Sequence, residues 1–197
     1  SYKASYSGDT VYPAASDSAC ETLGVTTSSI VTNIIRNDLG TDVTNSTVPT
    51  GTVVHDTATV TGAGDGATKP TGTITFKLFA TGDCSGQSIN EAITPLTPGA
   101  GITATAISGN TTANAALSYK ATYSGDTNYP PSNDSSCETL GVTTSSIVTH
   151  IIRNTDGSDQ TDKIVLINTV VHDTATVTGS GDGTTKPTGT VTFKLFA

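Results

Sequence analysis

Val53-Val-His-Asp-Thr-Ala-Thr-Val-Thr-Gly62 alternates too strictly to be anything but a strand: Val54, Asp56, Ala58 and Val60 take one face, His55, Thr57, Thr59 and Thr61 the other. One face is apolar and one is hydroxyl-rich, the pattern of a strand with a core on one side and water on the other. After Gly62-Ala-Gly-Asp-Gly-Ala-Thr-Lys-Pro70, a turn by composition, Thr71-Gly-Thr-Ile-Thr-Phe-Lys-Leu-Phe79 places Ile74, Phe76 and Leu78 opposite Thr73, Thr75 and Lys77. These two strands set the inward phase for everything around them.

The decisive stretch occurs twice. It returns as Val170–Gly179, and residues 1–80 and 118–197 align without a gap at an offset of 117, with about three quarters of the positions identical. The chain reads as a window on a tandem array: 1–25 as the C-terminal part of one repeat, 26–142 as a complete repeat, and 143–197 as the N-terminal part of the next. There is no Met, no signal-like segment at Ser1 and no long apolar run, so the window is expected to belong to a longer, processed polypeptide. Glu21–Thr27 runs into Ser29-Ile-Val-Thr-Asn-Ile-Ile-Arg36 with no Gly/Ser-rich or Pro-rich spacer, which predicts a stiff connection between repeats.

Composition narrows the class further. Four Phe, six Tyr and no Trp stand in a chain crowded with Thr, Ser, Gly, Val and Ile, a mixture suited to strands and tight turns. A net charge of −8 argues against nucleic acid and anionic membrane as partners, because both need clustered Lys and Arg. Cys20 and Cys137 occupy one repeat position, and Cys84 lies in the segment 81–117 that occurs once. Each complete repeat therefore carries two cysteines. Cys84 is expected to pair with Cys137, leaving Cys20 to a partner outside the window; the alternative is two buried free thiols. A metal is a poorer reading, since no Cys-x-x-Cys or His pair accompanies them.

The remaining strands follow the same logic. Ser88–Ile93 and Gly101–Ile107 are weak candidates between the breakers Pro95, Pro98 and Gly99, whereas Leu117, Tyr119, Ala121 and Tyr123 alternate cleanly with Ser118, Lys120 and Thr122. Glu138-Thr-Leu-Gly-Val142 closes the repeat with Leu140 and Val142 inward. Residues 37–50 differ most between copies and are expected to form an exposed loop or hairpin tip. About seven short antiparallel strands in ~117 residues describe an all-β immunoglobulin-like β-sandwich, repeated in tandem.

Val54-His-Asp-Thr-Ala-Thr-Val-Thr-Gly62, Pro70-Thr-Gly-Thr-Ile-Thr-Phe76, the Cys shortly after that strand, Tyr119-Lys-Ala-Thr-Tyr-Ser-Gly-Asp126 and Ser136-Cys137 resemble the bacterial Ig-like domain repeats of large secreted and cell-surface proteins. The resemblance spans essentially the whole chain, apart from the variable 37–50 insert and the Thr-rich 100–114 stretch. It implies stalks, adhesin spacers and fibre segments, and it brings no general catalytic residues and no cofactor.

His55 and Asp56 are neighbours on a strand, so they point to opposite faces and cannot share a catalytic relay. Asp56 places a carboxylate on the apolar row; the plain expectation is a strand mouth where it accepts backbone N–H groups. The resemblance also admits an intramolecular isopeptide bond, but Lys77 and Lys120 fall on the polar phase of their strands. Asp65 and Asp126 sit in turns and are weak Ca²⁺ candidates, though Asx-type turn formation accounts for them without a metal. Asn45, Asn110 and Asn133 head N-glycosylation sequons in predicted loops.

The expectation is therefore a non-enzymatic structural segment of an extracellular fibre, stalk or adhesin, with neighbouring repeats or copies of itself as partners. Two alternatives are a ligand- or glycan-binding adhesin module touching cells or glycans, and a self-polymerising filament subunit completed by strand exchange. The first lacks exposed aromatic platforms, with only Tyr12 and Tyr129 expected in loops. The second would build a composite domain without a counterpart of 81–117 and leave Cys20 without its partner.

Overall fold

A computed structural model describes residues 1–64, 66, 68–181 and 186–196. The chain is all-β, with no helix among the described residues. Between Thr27 and Val142 the strands are β1 (Thr27–Arg36), β2 (Thr41–Asp42), β3 (Ser46–Val48), β4 (Thr52–Ala63), β5 (Thr73–Phe79), β6 (Asn90–Pro95), β7 (Thr97–Pro98), β8 (Thr103–Ile107), β9 (Thr111–Ala113), β10 (Leu117–Tyr123) and β11 (Glu138–Val142). Beyond them lie β12 (Thr144–Arg153) and β13 (Val171–Ser180).

The first eleven strands make two sheets. One runs β2-β1-β4-β8-β7, with β9 also on β4, and the other runs β3-β11-β10-β5-β6. All pairings are antiparallel except β3 with β11. The sheets meet through Ile34 and Val54 of the first against Leu78, Tyr119 and Leu140 of the second, and through Ala58, Val60 and Ala106 against Ile74, Phe76 and Tyr123. The result is a two-layer β-sandwich. Val54, Asp56, Ala58 and Val60 are all fully buried, as their alternation requires.

Two local expectations need correction. Residues 37–50 are more than a loop: β2 extends the β1 hairpin, and the chain then crosses to the second sheet, where β3 lies parallel to β11 and buries Val48. The apolar side chains at Val43 and Val48 make that crossing worthwhile, because both pack on the core around Leu140. The middle strands sit slightly later than the breakers suggest, and Pro95 and Pro98 end β6 and β7 rather than merely separating them. Both prolines lie at sheet edges, where a missing N–H costs no ladder bond.

β12 and β13 repeat β1 and β4 in register, Thr144↔Ser180 through Arg153↔Val171 matching Thr27↔Ala63 through Arg36↔Val54. Only Thr143 separates β11 from β12. Residues 190–196, the counterpart of β5, lie outside any strand and are exposed.

Candidate functional site

The core contains a polar partition. On β4, Asp56 stands between Val54, which belongs to one apolar cluster, and Ala58, which belongs to the other. It is not at the strand mouth, as expected from sequence, but fully buried in mid-strand. Its backbone is held by Ser108, whose Oγ accepts from Asp56 N at 2.8 Å and whose N donates to Asp56 O at 2.8 Å. The carboxyl faces the buried Glu138 of β11 across the sandwich. Among the described residues, both Asp56 carboxyl oxygens, Glu138 Oε2 and the Tyr119 hydroxyl are buried without a hydrogen-bond partner.

Burial pushes the Asp56 carboxyl far up from the ordinary carboxylate range, and the neighbouring Glu138 raises it further. Burial raises Glu138 as well, against a hydrogen bond from Thr32 that favours its charged form. Two ionised carboxylates without a counter-charge are costly in such a place, so burial drives the pair toward its protonated forms. Glu138 was missed at the level of sequence, yet it shares strand parity with the inward Leu140 and Val142. Lys77 stays outside, 3.1 Å from Asp134.

The disulfide lies next to the acid pair in sequence, at the start of β11. Cys84 and Cys137 are bonded, with Cα atoms 5.9 Å apart and a sequence separation of 53. Ser118 anchors the loop that carries Cys84: it is fully buried, donates to Thr81 O at 2.6 Å and accepts from Cys84 N at 2.8 Å. The bridge therefore ties the loop after β5 to the entry of β11, immediately before Glu138. Cys20 is free and exposed.

Asp126 is a turn-maker. Its Oδ1 accepts from Asn128 N and Tyr129 N at 2.7 and 2.8 Å, and its Oδ2 from Thr71 N and Thr71 Oγ1 at 2.7 and 2.8 Å. Partial burial alone would raise this carboxyl, but those bonds prevail and hold it down at about 2. With its lone pairs so engaged it has little left for a cation. Asp65 lies outside the described residues, and among the described residues no cluster of three or more His, Cys, Asp and Glu could hold a metal.

Above that turn, Tyr129 is buried rather than exposed in a loop, contrary to expectation. Its ring covers Gly62, where an added Cβ would come within 2.4 Å of Cζ, and its hydroxyl donates to Thr68 O at 2.6 Å. A ring so buried is not presented to a sugar. His55 faces outward and contacts Asn37 Oδ1 at 2.7 Å, and its counterpart His172 contacts Asn154 at 2.6 Å. Both are loop ties with no link to Asp56. The three sequon asparagines are exposed, although Asn45 Oδ1 already accepts from Thr139 N and Oγ1 at 3.1 and 3.0 Å.

Hydrogen bonds at Thr143 tie the sandwich to the β12–β13 hairpin. Thr143 N donates to Val48 O at 2.9 Å, Thr50 Oγ1 donates to Thr143 O at 3.0 Å, and Thr50 N donates to Thr143 Oγ1 at 3.3 Å. Gly181 closes the gap: a Cβ there would stand 2.7 Å from Thr47 Cγ2 and 3.0 Å from Thr143 Cα. Its φ of 129° also disfavours a side chain. No protein-family model, curated protein or solved structure matches the chain.

Proposed function

We propose that this chain is a segment of an extracellular fibre, stalk or adhesin, built from tandem, disulfide-stapled immunoglobulin-like repeats that bear load and set spacing. The observation that carries the reading is the duplicated β1–β4 hairpin. It re-forms as β12–β13 in the same register, one residue after the preceding sandwich ends, and is pinned there by Thr50 and Thr143. Repeats joined in this way extend a structure along one direction.

Several features support the finer points. The immunoglobulin-like reading rests on the strand order: first, second and fifth major strands in one sheet, third, fourth, sixth and seventh in the other, with an early strand crossing to lie parallel to the last. An extracellular setting is compatible with the disulfide, which persists in oxidising surroundings. A non-catalytic role is part of this reading, in which His55 ties a loop through Asn37.

Arrays of one, two and four copies of the 117-residue repeat, compared by small-angle X-ray scattering and electron microscopy, test the proposal. A maximum dimension growing in proportion to repeat number supports a stiff spacer; collapse to compact particles overturns it.

A further inference from the structure

Four oxygens in one layer of the core, on Asp56, Glu138 and Tyr119, are buried with no partner among the described residues. Asp56 is 0% exposed, Tyr119 2% and Glu138 6%, so bulk water does not solvate them. Folded proteins leave few polar atoms in this state, and each one calls for an explanation such as a bound water or ion. No ion pair among the described residues includes either acid.

Strand register brings these groups together from both sheets. Tyr119 of β10 and Glu138 of β11 are direct cross-strand partners, so their side chains share the inner face. Asp56 comes from β4 in the opposite sheet, and Thr32 of β1, which pairs with Ala58, sits diagonally beside it on the same buried face. Burial raises the Tyr119 hydroxyl, Thr111 lowers it, and the charge of Asp56 raises it again. A cavity of about 20 Å³ adjoins the layer, lined in part by Asn90, Ser108, Thr111 and Tyr119. It has room for one water. Ser108 also accepts from Asp56 N at 2.8 Å, so the cavity reaches β4 at the acid.

We propose that Asp56 and Glu138, with Thr32 and Tyr119 beside them, form a site for one hard divalent cation of calcium's size, which replaces the protons of the acid pair and ties the two sheets together. The donors are all oxygens, the set that selects calcium or magnesium over zinc and copper. Calcium accepts about six to eight oxygens in irregular geometry, including both oxygens of a carboxylate, whereas magnesium demands a near-ideal octahedron and keeps several waters. A dry layer built from two carboxyls and two hydroxyls therefore suits calcium, and the cavity beside Tyr119 gives a water to complete the shell. Two carboxylates and one divalent ion sum to neutrality, which removes the cost of ionising the pair inside the core. Thr32, Asp56, Tyr119 and Glu138 recur as Thr149, Asp173, Tyr2 and Glu21, so the donor set belongs to the repeat. The site goes beyond the fibre reading and stands without it.

The test is calcium titration of the 197-residue chain after EDTA treatment and desalting, at pH 8, with magnesium in parallel. Calcium is expected to bind with a Kd of about a millimolar or tighter, the range of extracellular calcium modules, and magnesium at least tenfold more weakly. The melting temperature is expected to rise by about 5 °C or more at a hundredfold excess of calcium over Kd. Asp56→Asn and Glu138→Gln keep the side-chain shapes and need no counter-ion, so their metal-free melting serves as the folding control; each is expected to weaken calcium binding at least tenfold. Terbium in place of calcium, excited through tyrosine, is expected to luminesce and to lose most of that signal in Tyr119→Phe. The absence of any calcium-dependent shift up to about 10 mM, an order above the weakest such modules, overturns the proposal. So do amide variants that bind calcium like the parent, magnesium binding as tight as calcium, or terbium luminescence undiminished in Tyr119→Phe.

Discussion

Asp56 of β4 and Glu138 of β11 face each other inside the sandwich, one acid from each sheet, and burial raises both above the ordinary carboxylate range. The contact divides two apolar clusters and couples the closing strand of the unit to the opposite layer. Its counterparts Asp173 and Glu21 occur in the flanking repeats, so the device belongs to the repeat and not to one copy.

Both acids are raised above their unfolded values, so the folded state binds more protons than the unfolded chain once pH exceeds the ordinary carboxylate range. Stability is then fully present at acid pH and falls as pH rises through neutrality. Thermal melts from pH 5 to pH 9 are expected to show this decline. Asp56→Asn, which keeps the shape and supplies donors to Glu138, should flatten it and gain about 1–2 kcal/mol at the alkaline end.

Asp126 works in the opposite direction. Its pKa is held at about 2, below its unfolded value, so its contribution is present above that value and is lost as pH falls through the folded one. Asp126→Ala removes four hydrogen bonds and frees the Tyr129 loop; a loss of about 2–3 kcal/mol in denaturant unfolding is expected, concentrated above pH 4.

How far could all this be read without coordinates? The strands β4, β5 and β10 were legible because each carries an apolar row at period two, and the disulfide because the repeat offset pairs the cysteines arithmetically. Glu138 was obscured by being an acid on an apolar row. The crossing at 37–50 was obscured by divergence, although the five identities in that stretch, Asn37, Gly40, Asp42, Thr44 and Val48, each have structural work. Asn37 ties His55, Gly40 takes φ 62°, Asp42 accepts from Thr44 N, Thr44 accepts from Ile34 N, and Val48 enters the core. Residues that survive in a drifting segment mark its backbone bonds, and a comparison of the two copies contains that signal.

The joint makes a separate prediction. Gly181→Val pushes a side chain into Thr47 and Thr143, so the hairpin should swing away from the sandwich while the sandwich itself keeps its melting temperature. Residual dipolar couplings would read this as loss of common alignment between 26–142 and 144–180.

Reduction of the disulfide frees a loop whose closure is worth about 4 kcal/mol on the chain-entropy estimate. Cys137→Ser is expected to lower stability by about 2–4 kcal/mol without altering the strand content seen by circular dichroism.

The most direct test of load bearing is to stretch the 197-residue chain by its ends in an optical trap, oxidised and then reduced. One cooperative unfolding event is expected in each case. The reduced event should be longer by about 190 Å, the contour of the sequence separation of 53 from Cys84 to Cys137 at about 3.6 Å per residue. A smooth, low-force extension with no discrete event, or events of equal length in both states, would contradict a sandwich that resists axial force behind a covalent staple.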